Sequence, residues 1–484
     1  MRLPLDRIGY FINAVGDFDG DLIAHGYSID SRRISRSDLF FAVRGERLDG
    51  HDYVEDALAN GAAAAVVRHD QADRFSRHSN LLQVDEPQVA LQTLGASVRG
   101  IWGNPLIAVT GSTGKTTTKE IISRILATKY RVLKSEGNLN NHFGLPLQLL
   151  RLELEHEIAV MELGMSHPGE ITALAHLAQP NLGVVTNVAP VHLGFFKSVA
   201  DIARAKQELV AALPPDGTAV LNVDDEYVCK FGASYTGRIV TFGLRKPADV
   251  RAEGVEQRGA LGSTFEIVAG SERQRVELPL IGKHNVYNAV AAVAVGLQFG
   301  VSLSESAVVL ASMNPVDKRG EVLELAGATV INDCYNSNPR ALDCMIDALA
   351  GVAPGLGPVS RAANQQVAGR RILVAGEMLE LGPATDELHR RCGQHAWERK
   401  IDIIIGVRGA AKHIVDGAWA AGRQPGCSPV RAEFLETPEL AGEWLAREVR
   451  PGDVVLLKAS RGVRLERALE IWKSRLEAAA AQEA

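Results

Sequence analysis

The stretch from Ile107 to Glu120 reads IAVTGSTGKTTTKE, an apolar run that breaks into glycines, a lysine and three threonines. These residue types in this order can grip a phosphate. Where a strand turns into a helix, backbone N–H groups and the positive end of the helix dipole favour an anion. Gly111 and Gly114 let the chain come close to phosphate oxygens, Lys115 can neutralise them, and the Thr116 hydroxyl can hold Mg2+. The spacing is G-x-x-G-K-T, a shorter variant of the P-loop, because Val109 stands where the strict pattern has its first glycine. The bland alternative is a glycine-rich turn with an exposed lysine.

A phosphate loop by itself selects no function. A switch or motor would add a strand ending in a metal-holding aspartate, or a guanine-reading N-K-x-D, and neither is evident. Instead Glu162 closes EIAVMELG, and His192 follows LGVVTNVAPV. In a doubly wound sheet both fall at C-terminal strand edges, the side on which the phosphate loop opens. A carboxylate and an imidazole placed there can hold a divalent metal. A solvated glutamate and a packed loop histidine are the alternative.

The elements that must position these groups alternate along the chain. The first hundred residues mix strand-like runs (LFFAV, AAAAVVRHD, LLQVDE) with a helical stretch, YVEDALANGA. From LIAVTG onward, apolar runs (EIAVMELG, LGVVTNV, GTAVLNVDD) are separated by helical stretches, and GKHNVYNAVAAVAVGLQFG reads as a helix dense in small apolar residues. A third segment begins near MNPVDKRGEVLEL and carries ATVINDCY, RRILVAGEM, IDIIIGV and DVVLLKAS as strands. Such alternation predicts parallel sheets covered on both faces. The expected fold class is α/β in three domains. These are a small mixed α/β N-terminal domain (1–103), a central P-loop domain with a doubly wound, mostly parallel sheet (104–313), and a C-terminal Rossmann-like α/β domain (314–484). Residues 351–370, polar and without periodicity, read as a flexible surface loop.

At 484 residues the chain exceeds one core, and a 46% hydrophobic, 23% charged composition is ordinary for a soluble globular protein. A net charge of −6 gives no support to nucleic acid or an anionic membrane as partner. The five cysteines, Cys229, Cys334, Cys344, Cys392 and Cys427, are scattered without CxxC spacing, which suits a reducing cytoplasm. The start MRLPLDRIGYFINAVGDFDG lacks a signal-peptide core, and no apolar run reaches the roughly 18 residues of a membrane span.

Taken in order, TGSTGKTTTKE, NLNNHFGLP, VMELGMSHPGEI, TNVAPVHLGFF, ARAKQEL, GKHNVYNAVAA, INDCYNSNPRAL, GEMLELG and LKASRGVRLE make the chain similar to the Mur ligase family, which builds the peptide of bacterial cell-wall precursors. NLNNHFGLP, CYNSNPRAL and GEMLELG are most similar to the branch that adds D-alanyl-D-alanine. The resemblance implies a cytoplasmic, monomeric ATP-dependent acid–D-amino-acid ligase whose partners are UDP-N-acetylmuramoyl-tripeptide and D-alanyl-D-alanine. It also implies two Mg2+ ions.

Position by position, the resemblance implies that Gly111, Ser112, Thr113, Gly114, Lys115, Thr116 and Thr117 cradle the ATP phosphates. Thr116, Glu162, His192 and Lys206 approach the metal ions, Lys206 as an N-carboxylated lysine. Asn140 and Asn141 lie near the γ-phosphate and the acceptor carboxylate. His284, Asn285 and Asn288 face adenine, while Arg319 and Asp333 reach ATP from the third domain. Asn336 and Asn338 belong to the segment facing the incoming dipeptide, and Lys458 and Ser460, in a late motif with Arg461, bind substrate. Ser31, Arg32, Gly45, Asp49 and His51 hold the uridine nucleotide. Read on residues alone, Lys206 is a solvated lysine on an amphipathic helix, the asparagines are caps and turn formers, and Ser31–His51 is a strand-edge turn. Three other functions stay open: a sibling ligase adding a diamino acid, a non-catalytic nucleotide-gated binding protein, and a P-loop kinase.

Overall fold

The structure, a computed structural model, describes residues 1–191, 193–355, 369–423 and 431–483. It forms a three-domain α/β fold. The expected surface loop over 351–370 lies largely outside the described residues, as do His192 and Cys427. Near the N-terminus, Leu3–Pro4 pairs antiparallel with Ile23–Ala24. Next comes a parallel four-stranded sheet, Gly26–Ser28, Asp38–Phe41, Ala64–Arg68 and Leu81–Val84. The helix Pro87–Trp102 follows, with proline in its first turn and Gly103 closing it in the left-handed region at φ +69°. Its apolar face joins a core continuous with one face of the central sheet.

The central sheet has nine strands. Leu106–Thr110, buried along its whole length, lies between Ile158–Glu162 and Leu182–Val185, all parallel. Val132–Lys134 forms the edge beyond Ile158–Glu162. On the other side, Thr218–Asn222 and Arg238–Gly243 extend the parallel part. The strand order thus runs outward in both directions from Leu106–Thr110, so the crevice at its C-terminal end is a topological switch point. The sheet then continues through Val250–Gln257 and an antiparallel pair of neighbours, Ser263–Ala269 and Glu272–Leu278. Helix Lys283–Gln298, all but continuously buried from Asn288 to Gly296, packs along the helix Lys115–Leu126 that follows the phosphate loop. Near its far end, a Cβ on Gly296 would sit 2.7 Å from Cγ2 of Ile125.

The third domain orders its six strands as Glu321–Leu325, Ala328–Asp333, Val454–Lys458, Arg371–Gly376, Ile403–Val407 and Arg431–Leu435, parallel except for the first pair. Asp333 and Lys458 are register partners at the C-terminal ends of neighbouring strands. The tail belongs to the helix Glu466–Glu483. Among the described residues, no helix is long and apolar enough to cross a membrane.

Candidate functional site

The C-terminal edges of the central and third sheets face one cleft of about 1370 Å³. Into it opens the phosphate loop. Gly111, at φ +149°, packs so closely on the next strand's continuation that a Cβ would lie 1.9 Å from Oγ1 of Thr186. Thr186 to Ala189 run over the loop as a strap. Ser112 N donates to the Asn187 carbonyl at 2.9 Å, Thr113 N to Oδ1 of Asn187 at 3.1 Å, and Thr186 Oγ1 to the Thr113 carbonyl at 2.6 Å. Ala189 N donates to Oγ of Ser112 at 2.9 Å. Gly114 then begins the helix at φ +82°. Gly111→Ala therefore strains both backbone and strap. It is expected to lower nucleotide affinity at least about tenfold, read by calorimetry with ADP, while the protein still folds.

Lys115 Nζ donates to the Gly111 carbonyl at 2.8 Å. Burial lowers its pKa from the ordinary lysine value; Glu162 opposes this and Arg319, reaching in from the third domain, adds to it. Two cations converging on one loop are what a polyanion would relieve.

Behind the loop, the buried Glu162 carboxylate accepts from Thr116 Oγ1 at 2.7 Å and from Asn140 Nδ2 at 2.8 Å, and Ser135 Oγ accepts from Glu162 N at 3.1 Å. The hydroxyl and carboxylate oxygens, beside a phosphate-sized cradle, fit a small hard cation that would take its remaining ligands from phosphate and water. Among the described residues, no three His, Cys, Asp or Glu side chains cluster to hold a metal without such help. Lys206 is 2% exposed, lies on helix Val199–Ala211, and lines the cleft. Burial, with Lys115 nearby, lowers the pKa of its amine well below the usual lysine value. The solvated lysine expected from sequence alone is not what the fold builds.

Asn141 lines the same wall, and its Oδ1 accepts from Gly144 N at 2.9 Å. At the cleft's other end, Asn285 Nδ2 donates to the Ile281 carbonyl at 2.8 Å, and Asn288 Nδ2 to Oδ1 of Asn285 at 3.0 Å. Thr118 Oγ1 of the phosphate-loop helix donates to Asn288 Oδ1 at 3.2 Å. His284 keeps a buried Nδ1 without a partner among the described residues, and burial holds its pKa at about 4, so the ring is neutral. From the third domain, Arg319 stacks on Tyr335 with 3.9 Å from guanidinium carbon to ring centroid, and Arg461 approaches the same ring at 6.0 Å. Lys458 Nζ binds Asp333 at 2.5 Å and the Asn336 carbonyl at 3.0 Å. Asn338 caps helix Pro339–Ala350. Ser460 is buried, with Oγ donating to the Ser337 carbonyl at 3.2 Å, and does not line the cleft.

The cleft thus brings together Ser112 to Thr117, Asn140, Asn141, Glu162, Lys206, Asn285, Asn288, Arg319, Asp333, Asn336, Asn338 and Lys458. It does not include Ser31, Arg32, Gly45, Asp49 or His51; from the first domain only Glu46 and Gln92 reach it. Arg32 is exposed and paired with Asp30 at 2.9 Å. His51 is buried: Nδ1 lies 2.7 Å from Asp49 and Nε2 accepts from Arg68 N at 3.0 Å, so both ring nitrogens are engaged inside the domain. Sequence reasoning passed over Asn187, Asp225, Tyr335 and Arg340. Asn187 and Asp225 follow buried strands at their C-terminal ends, and that position was the available signal.

Three families match the chain in sequence: the Mur ligase family catalytic domain over residues 23–98, the Mur ligase middle domain over 109–296, and the Mur ligase glutamate ligase domain over 318–461. The UDP-N-acetylmuramoyl-tripeptide–D-alanyl-D-alanine ligase of Bacillus subtilis is 34% identical over 459 residues, 94% of either chain. The Escherichia coli enzyme of the same name is 32% identical, covering 84% of this chain and 86% of its own. Among solved structures, MurF from Acinetobacter baumannii superposes with a TM-score of 0.83 at 29% identity, over 97% of this chain and 98% of that one. MurF from Thermotoga maritima, in complex with ADP, gives 0.78 at 30% identity, over 94% and 98%.

Proposed function

The chain belongs to the Mur ligase family, and from that premise we propose that it joins D-alanyl-D-alanine to UDP-N-acetylmuramoyl-tripeptide at the expense of ATP, releasing ADP and phosphate. One observation carries the reading: a phosphate loop and a third-domain face bearing Arg319, Asp333, Asn336 and Lys458 share a single cleft, in a chain similar over nearly its full length to ligases of that name.

Amide formation in water requires an activated acyl group. The tripeptide's terminal carboxylate attacks the γ-phosphorus, ADP leaves, and an acyl phosphate forms. The dipeptide's amine then attacks the carbonyl, and phosphate departs with the acid's former oxygen. Two anions meet in the first step, and Lys115, Arg319 and the positive end of the helix that begins at Gly114–Lys115 offset their repulsion. Asn140, held by Glu162, orients the carboxylate next to them. His284, Asn285 and Asn288 seat the base; Asn336, Asn338 and Lys458 line the dipeptide's approach. Ser31, Arg32, Gly45, Asp49 and His51 shape the uridine-nucleotide site within residues 1–103, where His51 serves as framework. Gathering ligands from residues 104–313 and 314–484 around one cleft keeps water from the acyl phosphate.

Mg2+ would sit on Thr116 and Glu162, with His192 and an N-carboxylated Lys206 completing a second position, and would neutralise charge on the transferring phosphoryl group. The protein acts as a cytoplasmic monomer in this reading.

Release of ADP is expected only when ATP, UDP-N-acetylmuramoyl-tripeptide and D-alanyl-D-alanine are all present, with oxygen-18 from the tripeptide's carboxylate appearing in phosphate. Release driven by meso-diaminopimelate or lysine in place of the dipeptide would assign the chain to a sibling ligase instead.

A further inference from the structure

The third domain touches the strap over the phosphate loop, and not only the nucleotide side of the cleft. Arg340 lies in the first turn of helix Pro339–Ala350. A cation there opposes the helix dipole, so its favourable contacts must lie elsewhere. They lie across the domain boundary. Its Nη1 donates to the Val188 carbonyl at 3.3 Å and stands 3.9 Å from Oδ2 of Asp225. Asp225 is buried and accepts from Val188 N at 3.0 Å, and from Tyr227 N and Val228 N at 3.1 Å each. Val188 is therefore gripped from both sides, its N–H by Asp225 and its carbonyl by Arg340. It lies between Asn187 and Ala189, which hold Thr113 and Ser112 of the loop. Further along the same segment, Gly194 N donates to the Glu380 carbonyl at 3.1 Å, a second hold by the third domain.

We propose that Arg340 and Asp225 form a latch through which docking of the third domain fixes the strap and, with it, the phosphate loop. Arg340 is a positioning residue: it acts through Val188 on Ser112 and Thr113, and its guanidinium need not touch the nucleotide. When the third domain swings away, the Val188 carbonyl loses its donor and Asp225 its counter-charge, and the strap is held at one side only. Nucleotide affinity and closure are then two readings of one equilibrium, as linkage requires. The inference deepens the proposed reaction and rests on its placement of ATP at the loop.

The test compares Arg340→Ala and Arg340→Lys with the wild-type full chain. Arg340 is 46% exposed on its side chain, so both variants should fold. Calorimetry with Mg-ADP alone should show about tenfold weaker binding for Arg340→Ala, largely restored in Arg340→Lys. Small-angle scattering with ADP should show a larger radius of gyration for Arg340→Ala than for wild type. In turnover, KM for ATP should rise with KM for the uridine substrate unchanged. Unchanged ADP affinity in Arg340→Ala overturns the latch. So does a rise confined to the dipeptide's KM, which would make Arg340 a dipeptide ligand. Because binding and scattering need no acceptor, they decide the latch even if the ligase assay assigns a different amine substrate.

Discussion

Lys115→Ala is expected to reduce turnover by about a thousandfold or more while uridine-nucleotide binding stays within about twofold of wild type. The asymmetry follows from placement. Lys115 sits at the cleft wall on the phosphate loop, and every candidate for the uridine nucleotide lies before residue 103, outside the cleft. Without the ammonium, the loop keeps its amides but loses the charge that lets one anion approach another. Loss of a single preorganised donor to a developing charge costs about a hundred- to a thousandfold, and a full cation at the phosphate loop belongs at or above the upper end. Steady-state ADP release gives the first number and calorimetry with UDP-N-acetylmuramoyl-tripeptide the second. Parallel loss of both would show that the two ligands do not occupy separate domains.

The second large effect is expected at Lys206. A lysine that is 2% exposed and beside Lys115 is poorly placed as a cation. As the neutral amine it is a nucleophile for CO2. Its nitrogen bonds to the carbon, a proton leaves to solvent, and the site gains an anion where it had a misplaced base. Lys206→Ala should then cost about a hundredfold or more in kcat. Lys206→Glu, which returns an anion on a shorter stem, should recover part of that loss. Intact-protein mass spectrometry under native conditions should find one added CO2 in wild type and none in either variant. Activity that is insensitive to Lys206→Ala would mean that the amine merely fills the core.

Much of the frame was legible because its central strands are buried on both faces and therefore read as unbroken apolar runs: LIAVT, IAVME, RILVAG, IIIGV and VVLLK each became a strand. The extension Val250–Gln257, Ser263–Ala269 and Glu272–Leu278 gave no such signal. One of its faces meets solvent, and Arg251, Glu253, Glu256, Arg273 and Arg275 interrupt the apolar residues. At the site, the loop Gly111–Thr116 and Glu162 were readable because chemistry and strand end coincide within a few residues. Arg340 was not. Its contact with Val188 joins positions 152 residues apart, and no local pattern announces which carbonyl an arginine will meet. Lys206 was readable only through resemblance, since burial of one face of an amphipathic helix depends on what packs against it.

The helix Lys283–Gln298 meets the phosphate-loop helix at both ends, Asn288 near its start and Gly296 against Ile125. The side chains of Asn285 and Asn288 and those of the phosphate loop are thereby welded into one gauge of fixed length. Any bulk added at Gly296, which does not line the cleft, pries the two helices apart and miscalibrates that gauge. Inactivating lesions in this protein should accordingly collect along this seam as well, down to its Gly296 end outside the cleft.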